Sequence, residues 1–279
     1  MTMAQPRLHE RVLRSAEFRF ERATVPLRNE RLDAAYARAP DLWLERVDRA
    51  IDRGVAWLLP QADVSMSVLF CAKRTLERTG DSRFAFLHEK AEHYRRTIRD
   101  PALRLIYPDY DDEDPAYAGV PHVQGVRPYY PVELLMLDAA WADKRPQPDI
   151  LDRLRAFADN GFYGTTHIVV GGLMLIWNGG APAEEVREMM AETVPVIRRA
   201  NEITARAEDI FAERCMVLQW LERHDLIRPS WIIRLLRNQL PDGGWKARNM
   251  PPLGQSNQHT VIVTLAALAE FLAHQRGRL

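Results

Sequence analysis

The sequence has no excess of charge of either sign: 38 basic side chains match 38 acidic ones over 279 residues, and the formal net charge is zero. A neutral chain lacks the electrostatic footprint of a nucleic-acid-binding protein and the basic patch that attracts anionic lipid. Cysteine is also scarce, because Cys71 and Cys215 are too few for a disulfide framework. Such usage is typical of a reducing compartment. We therefore expect a cytoplasmic protein that acts on a small molecule.

Several familiar sequence signals are missing as well. Residues 1–18 contain no apolar run of the kind that a secretory signal needs, so we expect no export. The sequence contains no HExxH, no Walker loop, no GxSxG, no CxxC and no GxGxxG after a strand. These absences argue against nucleotide-dependent chemistry and serine hydrolysis.

One uncharged stretch, residues 160–183, has the length of a membrane span. It contains six glycines, and Gly179, Gly180 and Pro182 end its apolar part too early for a comfortable crossing. A helix that is apolar all round can equally be the buried helix of a large soluble fold. We favour that interpretation and expect no membrane span.

Strand signals are scarce, whereas helical spacing recurs along the whole chain. Segments with one charged face alternate about five times with segments that are apolar nearly all round, in units of roughly 40 residues. The pattern predicts an all-α fold: a single α/α toroid over residues 1–279, with about five to six helical hairpins. Residues 1–38 are expected to add a partial unit that closes the ring. A straight solenoid would also alternate, but its inner helices would carry more charge.

The motif QLPDGGW, residues 239–245, stands late in the sequence. It matches QxxxGxW, and this part of the chain resembles the squalene–hopene cyclase and terpene cyclase superfamily. The helix opened by His259 and Thr260 resembles the last helix of protein prenyltransferase β-subunits, which share the α/α toroid. The resemblance is firm over residues 229–274 and only pattern-like elsewhere. It implies structural roles, in helix capping and in packing between repeats, for Gln239, Asp242 and Trp245.

The resemblance also implies where a site would lie, because the inner helices of such toroids run parallel and their N-terminal ends gather on one rim. His167 and His259 each lie near the start of a predicted inner helix, and each has a neighbouring threonine that could orient its imidazole. A third ligand for a metal ion is expected from residues 203–222. The candidates there are Asp209, Glu213 and Cys215.

The choice among these three candidates depends on helical geometry. The prenyltransferase zinc site, which this arrangement resembles, has an Asp and a Cys two residues apart. Asp209 and Cys215 are six apart and lie on different sides of a helix, whereas Asp209 and Glu213, four apart, share a face. Two histidines with one carboxylate suit a divalent zinc, iron or copper ion. The competing interpretation makes the histidines structural, the carboxylates solvated, and Cys215 a small buried hydrophobe.

An acidic run, YPDYDDEDP over residues 107–115, is a second constellation. Asp109, Asp111 and Asp112 spell DYDD, which resembles the DxDD general-acid motif of class II terpene cyclases. A carboxyl that protonates an alkene must be buried among other carboxyls, so that its pKa is high. Here the run lies in a loop with tyrosine and proline, where clustered acids are usually solvated. The chain is also too short for the second toroid of such cyclases.

A long irregular segment includes this acidic run. Residues 100–128 are predicted to cap the mouth of the cavity, because long ordered loops in compact domains are frequently lids. Substrate contacts are expected from three side chains near the next inner helix: His122, Tyr129 and Tyr130. His122 is alternatively a metal ligand.

Three functions are compatible with these observations. His167 and His259 favour a metal-dependent enzyme that acts on a small organic or prenyl-like substrate in the central cavity. An isoprenoid cyclase that uses the DYDD run as its acid is the first alternative. A non-catalytic toroid that binds a partner through its rim is the second. We expect the protein to be a monomer or a homodimer.

Overall fold

The computed structural model describes residues 16–61, 63–111, 113, 131–160, 162–247 and 255–279. These residues form α-helices and short 3-10 helices, and within the described ranges there is no β-strand. Lys246 and Ser256 form one isolated antiparallel bridge. The prediction of an all-α protein is confirmed.

The helices follow one another with short connections. The first half contains α1 (Ala16–Arg38), α2 (Pro40–Leu58), α3 (Met66–Thr79), α4 (Ala85–Thr97) and the one-turn α5 (Leu103–Ile106). The second half contains α6 (Pro131–Ala140), α7 (Ile150–Ala156), α8 (Phe162–Asn178), α9 (Ala183–Ile203), α10 (Asp209–Trp220), α11 (Pro229–Arg237) and α12 (Gln258–Gln275).

Helices with one buried face alternate with helices that are buried on all sides. In α9 only one stripe is buried, as expected for an amphipathic helix at a surface. In α10 every residue over 211–220 is buried, and in α12 every residue over 260–273 is buried. The apolar segment of α12 is therefore buried as expected, whereas α10 is buried together with Glu213 and Arg214.

The buried helices contact one another. Helix α10 packs against both α8 and α12, α12 also packs against α3, and α8 packs against α6. Helix α1 lies across α9 and α11. The buried apolar side chains form one continuous core, and the removal of this surface from water is the main source of stability.

The glycines of α8 allow neighbouring helices to approach it closely. A Cβ atom on Gly171 would lie 2.6 Å from Cδ2 of Leu154, and one on Gly172 would lie 2.7 Å from Sδ of Met190. These neighbours belong to α7 and α9, so the uncharged helix is enclosed by protein. No helix in the described part of the chain combines the length and apolarity that a bilayer span requires.

The QxxxGxW segment ties α11 to α2. Nε2 of Gln239 donates hydrogen bonds to the carbonyl oxygens of Ala50, at 2.9 Å, and Gly243, at 2.8 Å. Trp245 is buried, and its indole N–H donates to the carbonyl oxygen of Leu235 at 2.9 Å. Gly243 has a φ of +98°, and a Cβ there would lie 2.6 Å from the carbonyl oxygen of Arg53.

Asp242 also stabilises this segment. Its Oδ1 accepts hydrogen bonds from the backbone N–H of Gly244, at 3.0 Å, and from the hydroxyl of Ser256, at 2.9 Å. Such bonds hold the turn and the start of the next segment together. The side chains of the motif are thus occupied by contacts within the fold, as the resemblance implied.

The first part of the predicted cap is interior structure. Leu103, Ile106 and Tyr110 are fully buried. Arg104 is also buried and donates to the carbonyl oxygens of Ala140, at 2.8 Å, and Tyr110, at 2.6 Å. These bonds connect residues 103–110 to the end of α6. The capping role of residues 100–128 stays a prediction. Residue 112 and residues 114–128 of the predicted cap lie outside the described residues.

Candidate functional site

Three side chains from three buried helices meet near the N-terminal ends of those helices. They are His167 of α8, Glu213 of α10 and His259 of α12, and we call them the His–Glu–His cluster. Because α10 packs against both α8 and α12, its carboxylate lies between the two imidazoles. The three residues come from the set expected from the sequence.

A helix cap fixes the position of His259. Oδ1 of Asn257 accepts hydrogen bonds from the backbone N–H groups of His259, at 2.9 Å, and Thr260, at 3.3 Å. Asn is among the preferred N-cap residues because its side chain satisfies amides that the helix leaves open. Helix α12 therefore begins at Gln258, and His259 is held in its first turn.

The two oxygen atoms of the Glu213 carboxylate have different contacts. Its Oε1 lies 3.7 Å from Nε2 of His259 and 3.9 Å from Nε2 of His167. Its Oε2 accepts a hydrogen bond from the hydroxyl of Thr166 at 2.9 Å. The side chain of Glu213 is only 5% exposed, whereas that of His259 is 25% exposed. The cluster is thus a buried carboxylate that solvent can approach from the side of His259.

Thr166 also constrains the imidazole of His167. Its hydroxyl proton is directed to Glu213, because a carboxylate can only accept. Toward Nδ1 of His167, 3.2 Å away, the same hydroxyl can therefore only accept. A neutral His167 then carries its proton on Nδ1 and presents a lone pair at Nε2. Nε2 of His167 faces Oε1 of Glu213 at 3.9 Å, and the two groups form an ion pair when the imidazole is protonated.

The charges of the cluster shift its pKa values. Burial alone would raise the pKa of Glu213, but the charges of His167 and His259 and the bonds to His259 and Thr166 hold it below its usual value. Burial alone would lower the pKa of His259, but its bond to Glu213 and the charges of Glu213 and Asp209 raise it above its usual value. The site therefore favours an ionised carboxylate with positive charge beside it.

The donor types of the cluster fit a divalent metal ion. Ligand atoms bound to tetrahedral zinc at about 2.0–2.2 Å lie about 3.3–3.6 Å from one another. The separations of 3.7 and 3.9 Å are slightly wider than that. Within the described ranges, no three His, Cys, Asp or Glu side chains lie in an arrangement that could hold a metal ion. An ion at this cluster would have to draw its side chains closer together.

The other two candidates for the third ligand lie differently. Asp209 is the first residue of α10, and it acts on His259 through its charge. Cys215 is fully buried, and its Sγ accepts a hydrogen bond from Nδ2 of Asn201 at 3.3 Å. Burial raises the pKa of Cys215 to about 12, so it is a thiol and not a ready ligand.

Two aspartates of the acidic run, Asp109 and Asp111, are described, and both have side chains that solvent reaches. Asp109 is paired with Arg95 at 2.6 Å and its side chain is 71% exposed. Asp111 is paired with Lys144 at 3.3 Å, and a backbone bond from Glu113, together with Lys144, lowers its pKa. A general acid for an alkene needs burial and a raised pKa, whereas the side chain of Asp109 is exposed and the pKa of Asp111 is lowered. Asp112, His122, Tyr129 and Tyr130 lie outside the described residues.

A second group of polar side chains was not anticipated from the sequence. A cavity of about 260 Å³ has Arg234 among its lining residues, together with three further basic side chains: Arg28, Arg206 and Lys246. The signal that could have revealed it is the arginine in the apolar run WIIRLL, because Arg234 interrupts the buried face of α11.

Comparison with known proteins adds no relative to these observations, since no family model, curated protein or solved structure matches the chain.

Proposed function

We propose that this protein is a metal-dependent enzyme, and that His167, Glu213 and His259 hold a divalent zinc, iron or copper ion. The observation that carries the proposal is the convergence of Nε2 of His167 and Nε2 of His259 on Oε1 of Glu213, at 3.9 and 3.7 Å. The three donor atoms come from three separate helices, and an ionised carboxylate among them would attract a cation.

The composition of the cluster supports the same proposal. Two histidines with one glutamate occur in catalytic zinc sites that keep a fourth position open, and two histidines with one carboxylate also hold iron in oxygenases. When bound, a divalent ion supplies a Lewis acid that polarises an oxygen of the substrate. Glu213 supplies the negative charge, Thr166 fixes its orientation, and the exposed side of His259 leaves access for a small organic molecule.

The proposal includes the toroid as the architecture that builds the site. Helices α3, α5, α6, α8, α10 and α12 contact one another in sequence, and α12 returns to α3. A closed ring of buried helices is the simplest arrangement with these contacts. The resemblance to prenyltransferases and terpene cyclases adds a prenyl-like molecule as one candidate substrate.

A second candidate is proton transfer without a metal. The spacing of the cluster, wider than that of a ligand set, favours it. In this case His259, whose pKa is raised by the bond to Glu213, acts as the acid or base, and Glu213 stabilises its charged form. Both candidates use the same residues, and they differ in whether the protein retains a metal ion.

The metal content of purified protein tests the proposal. We expect nearly one equivalent of zinc, iron or copper in the wild type and less than about a tenth of that in His167→Ala, His259→Ala and Glu213→Gln, since each loses one of three ligands. His93→Ala, an exposed histidine of α4, is the control and should keep its metal. A wild type that is metal-free and cannot be reconstituted with any of the three ions would overturn the metal proposal and favour proton transfer.

A further inference from the structure

The arginine cavity is a second site, separate in its residues from the His–Glu–His cluster. Its volume is about 260 Å³, and its polar lining consists of four basic side chains, one acidic side chain and an amide: Arg28, Arg206, Arg234, Lys246, Glu208 and Asn238. They come from α1, from the segment between α9 and α10, from α11, and from the residue after Trp245. The fold thus gathers positive charge from four separate parts of the chain.

Arg234 forms the interior wall of this cavity. It is only 2% exposed, its guanidinium lies 4.4 Å from the ring centre of Phe211, and Nη2 donates to the carbonyl oxygen of Thr204. Its Nη1 is buried and has no hydrogen-bond partner. Among the residues that the structure describes, no carboxylate lies within ion-pair distance of this guanidinium.

Burying a guanidinium without a counter-charge costs free energy, and this cost lowers the pKa of Arg234. Burial, together with the charge of Arg28, lowers the pKa of Arg234 to about 10. A buried charge normally requires both a partner of opposite sign and hydrogen bonds for its remaining protons. The charge of Arg28, which has the same sign, adds to the cost of burying Arg234.

We propose that this cavity binds the oxyanion of a small molecule, a carboxylate or a phosphate, with Arg234 as its buried anchor and Arg28, Arg206 and Lys246 around it. The guanidinium fork suits such groups, because it can donate two parallel hydrogen bonds to one oxyanion. A volume of about 260 Å³ accommodates a phosphate or a carboxylate with a few further atoms. Asn238 lines the same cavity and adds a polar contact.

The arginine cavity adjoins the candidate active site along the chain. Glu208 lines the cavity, and the next residue, Asp209, acts through its charge on His259. Both sites therefore lie at the N-terminal end of α10. An oxyanion-bearing molecule is the class of ligand that this arrangement selects, whether or not the cluster holds a metal.

Direct binding tests the proposal. Isothermal titration calorimetry at low ionic strength, in a buffer free of oxyanions, would use inorganic phosphate, pyrophosphate and acetate as separate probes. Wild type should bind at least one of them, and the probe that binds distinguishes a phosphate site from a carboxylate site. Arg28→Gln and Lys246→Gln should each weaken that binding by about tenfold or more, as expected for loss of one charged contact. Both residues are exposed, so these variants should fold.

Three further variants make the result decisive. Arg49→Gln removes an exposed cation of α2 that is paired with Glu45, and it should leave binding unchanged. Arg234→Lys keeps the charge but loses the fork, and it should bind more weakly than wild type. Glu213→Gln should retain binding, which separates this proposal from the metal proposal. The oxyanion site is overturned if no probe binds, if Arg28→Gln and Lys246→Gln bind as wild type does, or if only Glu213→Gln abolishes binding.

Discussion

Oε1 of Glu213 and Nε2 of His259 lie 3.7 Å apart, although the two residues belong to different helices. The capping of α12 by Asn257 places the imidazole, and the burial of α10 on all sides places the carboxylate. The contact therefore depends on the packing of two helices and not on a flexible loop. Because both side chains are positioned by rigid elements, they can hold an ion or a proton in a defined place.

Thr166→Val should weaken metal binding without removing a ligand. The substitution keeps the shape of the side chain but removes the hydroxyl that donates to Glu213 at 2.9 Å. Loss of such an outer partner typically costs about 10–100-fold in metal affinity. Competition with a chromophoric chelator would measure the change.

Thr193→Val is the matched control, because Thr193 is also buried but donates to the carbonyl oxygen of Met190 within its own helix. Its metal affinity should equal that of the wild type. Equal affinities for Thr166→Val and wild type would show that Thr166 does not orient the ligands.

Gln239→Ala should reduce stability and leave metal binding intact. The change removes hydrogen bonds from Nε2 to the carbonyl oxygens of Ala50 and Gly243, and each such bond contributes about 0.5–1.5 kcal/mol. Chemical denaturation would measure the free energy of unfolding. Gln61→Ala removes only one hydrogen bond, from Nε2 to the carbonyl oxygen of the nearby Trp57, and it should cost less. A metal affinity that falls along with the stability would contradict a purely structural role for the motif.

Arg78→Met should destabilise the protein most strongly near neutral pH. Arg78 pairs with Glu270 at 2.6 Å, and the side chain of Glu270 is fully buried. Removing the partner of a buried charge costs about 3–5 kcal/mol. Arg49→Met, which breaks an exposed pair with Glu45, should cost at most about 1 kcal/mol.

The pH dependence of this cost has a definite sign. Burial raises the pKa of Glu270 even with Arg78 present, so the folded state takes up a proton before the unfolded state does. The penalty is therefore full above the folded-state pKa, and it disappears as pH falls toward about 4.3, the value for an unfolded glutamate. The double variant Arg78→Met/Glu270→Gln should recover much of the loss at pH 7. A cost for Arg78→Met that is equal at pH 7 and pH 5 would contradict this account.

The helices were predictable because burial leaves a direct trace in the sequence. The helix that His259 and Thr260 open in the sequence corresponds to α12 (Gln258–Gln275). Periodicity identifies the buried face of each helix, so the buried side of a single segment could be inferred from its sequence.

The site was predictable only in part. His167 and His259 stand out because each is a polar residue at the start of an apolar helix, whereas Asp209 and Glu213 share a helix face and could not be separated by spacing. The structure separates them through burial, which is nearly complete for Glu213. The arginine cavity could not be predicted, because its basic side chains come from distant segments that only tertiary packing brings together.

The most direct test of the central claim is anomalous diffraction from crystals of protein reconstituted with zinc, recorded on both sides of the zinc absorption edge. We predict one anomalous peak among Nε2 of His167, Nε2 of His259 and Oε1 of Glu213, at about 2.0–2.2 Å from each atom. Crystals that show no peak at these residues, or a peak elsewhere in the protein, would contradict the assignment of the His–Glu–His cluster as a metal site.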